Sequence, residues 1–123
     1  ALVMDRAFTS AWNQFRQQAR RWHIPSLLAL PALDGVVRLR LGVSLRTDVR
    51  QALRAASVPA MFIHGTADST VFFAQCQAIH DSCASEKELM AVEGAEHTVA
   101  LLAGGPEARQ RVIGFVERQM KNP

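Results

Sequence analysis

Two residues in this chain have the types and the setting to work as an acid–base pair. Asp68 ends the stretch Val58 to Asp68 (VPAMFIHGTAD), a short apolar run that breaks into a His-Gly turn. His97 ends Gly94 to His97 (GAEH), just after another apolar run. A carboxylate that accepts from one imidazole nitrogen fixes the tautomer, and it stabilises the imidazolium that forms when the other nitrogen takes a proton from a hydroxyl nucleophile. In that chemistry Asp68 orients and His97 shuttles the proton.

Each further candidate has a bland role beside the chemical one. A serine served by such a pair normally sits in a G-x-S-x-G turn between a strand and a helix, and that motif is absent from the sequence. Ser44, in Gly42-Val43-Ser44-Leu45-Arg46, lacks the final glycine and follows arginine-rich helical sequence, which suits a surface or cap serine. Ser69 stands beside Asp68 and is expected to cap the following helix. Glu96 adds a carboxylate next to His97, but neighbouring side chains in one tight turn point apart, so Asp68 is the expected partner. His64, followed by Gly65, reads as a turn residue rather than a base. His80 and Asp81 read as solvent-facing, His23 as part of a helical insertion, and Asp5 either faces the site or simply ends its strand. No two of the four histidines share metal-ligand spacing on one element, so neither a metal nor a cofactor is expected.

The elements that must position the pair follow from the hydrophobic pattern. Ala1 to Met4, closed by Asp5, is an apolar run without alternation, as in a strand buried on both faces of a parallel sheet. Thr9 to Trp22 reads as a helix capped by Ser10 or Thr9, with Trp12, Phe15, Ala19 and Trp22 on one face, and Ile24-Pro25 ends it. That aromatic face is either core or the lining of an acyl or side-chain pocket. Ser26 to Ser57, interrupted by Pro31, Gly35 and Gly42, suggests two or three short helices, either a lid or a long crossover. Strand Ala60 to Ile63, helix Val71 to Cys83, strand Glu88 to Val92 and a final helix opened by Gly105-Pro106-Glu107 complete the chain. Val112, Ile113, Val116 and Met120 give that helix an apolar side, with Arg118 and Lys121 near its end. Alternation of strand and helix implies an α/β fold with a parallel sheet, and loops at the carboxyl ends of its strands carry both Asp68 and His97. Neighbouring strands lie about 4.8 Å apart, which brings the two loops within hydrogen-bond reach.

With these residues in place, the sequence resembles the end of an α/β-hydrolase. Val58-Pro59 before the strand, His64-Gly65-x-x-Asp68 after it and Gly94-Ala95-x-His97 after the next all match that pattern. Ala1 to Asp5, the helix with Thr9-Ser10-x-Trp12 and the helical insertion resemble the section that follows the nucleophile elbow, especially in bacterial hydrolases related to dipeptidyl aminopeptidases and acylaminoacyl-peptidases. Phe72 departs from the proline that many relatives carry, and Glu96 from their glycine.

The resemblance implies the C-terminal part of an α/β-hydrolase fold, about three parallel strands with flanking helices over residues 1–123. Residues 6–57 would form a helix and lid-like insertion, and 58–123 the acid and histidine section. It also implies a serine hydrolase acting through an acyl-enzyme on a small-molecule or peptide ester or amide. Asp68 and His97 would be catalytic, and the serine and oxyanion-hole amides would lie upstream of Ala1. This chain alone is then expected to be inactive. The alternative is a non-catalytic α/β module or partner-binding remnant that keeps both residues without chemistry.

Composition agrees with one small globular unit. At 123 residues, 49% apolar and 20% charged, the chain can bury a core and does not read as disordered. Formal charge is +3, and the arginines of 6–21 and 38–54 come with no nucleic-acid motif or stacking aromatics, so no nucleic-acid partner is expected. Cys76 and Cys83 on one helix would lie roughly 10 Å apart, too far for a disulfide. With Phe72 and Ile79 they form one stripe and read as buried thiols, which suits a cytoplasmic protein. No apolar run is long enough to span a bilayer, and no signal peptide is visible. The first strand would expose an apolar edge, so association with the missing N-terminal half or with a second copy is expected.

Overall fold

The computed structural model describes residues 1–97 and 100–121. In chain order its elements are β1 (Leu2–Asp5), α1 (Ala11–Arg21), α2 (Ser26–Leu41), α3 (Val49–Ala55), β2 (Ala60–Gly65), α4 (Phe73–Ser82), β3 (Lys87–Val92), α5 (Ala100–Ala103) and α6 (Gly105–Lys121). The three strands form one parallel sheet in the order β1-β2-β3. Helices cover it, so the class is α/β.

β2 is central and every one of its residues is buried. Its alternation divides the core in two. Met61 and Ile63 pack with Met90, Ala95, Ala100, Ala108 and Phe115, a layer closed by α5 and α6. Ala60 and Phe62 pack with Leu53, Cys76, Ile79 and Cys83, a layer closed by α3 and α4. Burying a side chain the size of Phe62 or Phe115 contributes roughly 1.5–3 kcal/mol each. The two layers therefore hold β2 from both faces.

Both cysteines are buried free thiols. Burial, aided by the Asp5 charge, pushes the Cys76 thiol up to about 12, so its thiolate is not populated near neutrality.

β1 behaves differently from the expected buried strand. Leu2 and Val3 are each 37% exposed, because β1 pairs with β2 on one side and with no other described strand on the other. The helix after Asp68 starts at Phe73, not Val71, and Phe72 leaves the expected stripe for solvent. In α6 the buried anchors are Ala108 and Phe115, while Ile113 and Met120 are exposed, so the inward face is rotated from the one the valine and isoleucine pattern suggested. β3 begins one residue earlier than expected, at Lys87.

Between Ser26 and Ser57 there are two helices, and the first is long. α2 runs through Pro31 and Gly35 and stops at Gly42, whose φ of 69° is the left-handed conformation that glycine tolerates. Buried Asp34 holds the turn that follows. Its carboxylate accepts from Leu45 N at 2.8 Å and Ser44 Oγ at 3.0 Å, and it pairs with Arg38 at 3.1 Å. Arg46 in that turn stacks on Trp12, 4.0 Å from the ring centroid. Leu27 and Leu39 remain 84% and 85% exposed. Ser10 caps α1 by accepting from Asn13 N. Of the expected aromatic face only Ala19 is fully buried, with Phe15 and Trp22 exposed. No helix among the described residues is long and apolar enough to cross a membrane.

Candidate active site

The register of β2 and β3 sets Gly65 beside Val92, and both strands end there. Hydrogen bonds continue beyond the ladder. Thr66 N donates to Val92 O at 3.0 Å, Ala67 N to Ala95 O at 3.1 Å, and Gly94 N to Thr66 Oγ1 at 2.9 Å. A Cβ on Gly65 would lie 2.1 Å from Ala95 O, so the approach of the two turns requires glycine at this position.

Asp68 and His97 meet across this junction. His97 Nδ1 lies 2.8 Å from Asp68 Oδ2. The other carboxylate oxygen, Oδ1, accepts from Thr70 N and Val71 N, each at 2.8 Å. Asp68 itself thus organises the turn before α4, and the N-cap of that helix is Phe72, without a side-chain cap. Ser69 does not cap it. Burial raises the Asp68 pKa, but the His97 bond and the two amide bonds outweigh that effect and hold the carboxyl below its ordinary range. An ionised Asp68 facing Nδ1 makes that nitrogen the donor. His97 Nε2, on a half-exposed side chain, then carries the lone pair and has no partner among the described residues.

His64 does not form a turn. It is the fifth residue of β2 and fully buried, because strand alternation places it on the Phe62 side, where Phe73 covers its ring. Its Nε2 lies 2.8 Å from Val71 O and 3.1 Å from Asp68 Oδ2. Two histidines therefore converge on one carboxylate.

Other parts of the site carried little sequence signal. Arg6 pairs with Asp5 at 2.9 Å and donates through Nη1 to His97 O at 2.9 Å, with its own backbone at φ 56°. Among the described residues, Asp5 reaches the pair through Arg6. On the outer side, Gln14 and Gln17 of α1 donate to Thr70 O at 2.7 and 2.8 Å. Gln75 Oε1 accepts from Thr9 N and Thr9 Oγ1, each at 3.1 Å. A cleft of about 790 Å³ opens between α1 and this segment, lined in part by Arg16, Arg20, Ser69 and Phe72.

The remaining candidates stand apart. Ser44 Oγ donates to Asp34 and accepts from Arg38 Nη2, so it serves the turn after α2. His80 is not solvent-facing; its ring packs edge-on against Phe62 at 5.6 Å while Asp81 is exposed. His23 lies in the exposed turn between α1 and α2. Glu96 is exposed and makes no hydrogen bond to His97 among the described residues.

Two outcomes follow. Gly65→Ala should destabilise the chain by roughly 1–3 kcal/mol through overpacking at Ala95 O, read as a lower denaturant midpoint; a variant as stable as the parent would contradict the close approach. Because the folded Asp68 carboxyl titrates below its unfolded value, the stability it supplies is present above about pH 4 and lost as pH falls through that range. The stability gap between the parent and Asp68→Asn should therefore narrow below about pH 4, and a gap that stays constant into strong acid would refute the assignment.

No family model matches this chain, and no curated protein does. Among solved structures it is similar to a bromoperoxidase from Bacillus anthracis, at 26% identity and a TM-score of 0.47, over 58% of this chain and 25% of that one. The chain spans about a quarter of the length of that protein.

Proposed function

We propose that this chain is the acid and histidine section of a serine hydrolase of the α/β-hydrolase type, one that cleaves an ester or amide through an acyl-enzyme. The observation that supports it most is the 2.8 Å contact between His97 Nδ1 and Asp68 Oδ2 at the carboxyl end of a parallel sheet, with Nε2 turned away from the acid. In this reading Nε2 takes the proton of a serine hydroxyl as its oxygen bonds to the substrate carbonyl carbon. It returns that proton to the leaving alcohol or amine as the carbon–heteroatom bond breaks. Water then repeats the cycle and frees the acid product. Asp68 stays ionised throughout, in keeping with its lowered pKa.

The serine and the oxyanion-hole amides come from sequence ahead of Ala1 in this proposal. Its basis is the lack of a G-x-S-x-G in the chain and the engagement of Ser44 with Asp34 and Arg38. Within residues 6–57, the insertion from Ser26 to Ser57 acts as the lid, and the exposed leucines of α2 are the surface offered to acyl or side-chain groups. The unpaired side of β1 receives the preceding strands of the full protein or, in their absence, a second copy of this chain.

A longer chain carrying the upstream serine should react with a fluorophosphonate probe, and His97→Ala should lower that rate at least about 100-fold. Undiminished labelling of His97→Ala would exclude it as the base. The 123-residue chain alone should sediment as a dimer or larger species, and Val3→Lys should shift it toward monomer. A parent chain that is a monodisperse monomer would sink the proposed edge pairing.

A further inference from the structure

His64 has no part in the proton transfer described above, yet it is the most completely enclosed polar side chain near the pair. Its Nδ1 is sealed from solvent and has no hydrogen-bond partner among the described residues, so Nε2 alone orients the ring. That nitrogen faces Val71 O at 2.8 Å and Asp68 Oδ2 at 3.1 Å. A carbonyl oxygen and an ionised carboxylate oxygen only accept, so Nε2 must carry a hydrogen. The tautomer is set by its surroundings.

We propose that His64 is a positioning residue for the Asp68–His97 pair, its Nε2–H donated to the Val71 carbonyl and held 3.1 Å from the carboxylate oxygen that faces His97. Two amides on Oδ1 fix that oxygen but leave the carboxylate free to swing Oδ2 about it. His64 closes this freedom from the core side. It acts at both ends of one turn, since Val71 N donates to Asp68 Oδ1 while Val71 O accepts from His64. An outer group that fixes the turn carrying a working one, here through the hydrogen bond to Val71 O, sharpens its geometry, and a displacement of about 1 Å at such a site is worth up to about 100-fold in rate. The positioning of Asp68 is a matter of geometry; its value for catalysis rests on the serine hydrolase reading.

Long-range ¹H–¹⁵N spectra of the ¹⁵N-histidine-labelled chain test this without a substrate. They should show His64 protonated on Nε2 and a downfield His97 Nδ1–H resonance from the bond to Asp68. His64→Gln can place an amide N–H near the position of Nε2 and should keep that resonance. His64→Phe fills the space without a donor and should broaden or lose it. In the longer, serine-bearing chain, His64→Phe should slow fluorophosphonate labelling about 10- to 100-fold. An unprotonated His64 Nε2 overturns the proposal, as does a folded His64→Phe chain that keeps the His97 resonance. If His64→Phe does not fold, the parent tautomer and the His64→Gln spectrum decide. Loss of the resonance in His64→Phe with no probe reactivity in any longer chain would uphold the positioning and reject the hydrolase reading. Labelling that needs His97 but ignores His64→Phe would do the reverse.

Discussion

The site depends on how closely the backbone leaving β2 can approach the backbone leaving β3. A parallel ladder sets the strands side by side but does not by itself bring their following loops together. Here the ladder is prolonged by Thr66 N to Val92 O and Ala67 N to Ala95 O, and the prolongation runs through the space that a Cβ on Gly65 would occupy. Gly94, with φ of 68°, lets the β3 turn fold back and donate to Thr66 Oγ1. With both turns pinned at the backbone, two side chains 29 positions apart in sequence meet at 2.8 Å.

Close approach alone would leave an expensive charge in the core. A buried carboxylate is tolerable only when its oxygens are matched with donors, and Asp68 has two amides on Oδ1 and an imidazole N–H on Oδ2, with His64 Nε2 beside it. The matched donors lower its pKa despite burial. Elsewhere at the same end of the sheet the matching is incomplete. His64 Nδ1 and Asp5 Oδ1 are buried without hydrogen-bond partners among the described residues, and Arg6 holds a positive φ while binding His97 O. Unmatched polar atoms and a strained backbone are tolerated where something holds them, and they recur at functional sites.

The fold class and the meeting of Asp68 with His97 were legible because both rest on strong local signals: apolar runs of strand length, turn residues after each, and one helix between. His64 was misread because the His-Gly pair looks like a turn. The alternation begun at Ala60 and Phe62 carries through to His64, so the strand continues past the point where turn chemistry would end it. Gly65 had the same ambiguity, since its role lies in a contact with Ala95 thirty residues away. The α1 face was misjudged for another reason. Its tryptophans and Phe15 form the visible stripe, whereas the face that grips the Thr70 carbonyl consists of glutamines, and a polar interlock has no hydrophobic period to reveal it. Phe115 went unmarked because Val112, Ile113 and Val116 drew the inward face around it.

Asp68 is therefore held from two sides by different physics. On the core side, β2 is clamped between apolar layers, and His64 and Gly65 inherit that rigidity from the strand they belong to. On the outer side, Gln14 and Gln17 hold Thr70 O, while Thr9 and Gln75 fasten α1 to α4 by hydrogen bonds, with little apolar burial beneath. These part-buried hydrogen bonds replace bonds to water at small net gain, whereas the core layers are lost only when the sheet unfolds. The geometry of the carboxylate is accordingly set from the strand side. The α1 layer covers the outer face of the turn through Gln14 and Gln17, so the acid is fixed from the strand beneath and roofed by polar contacts.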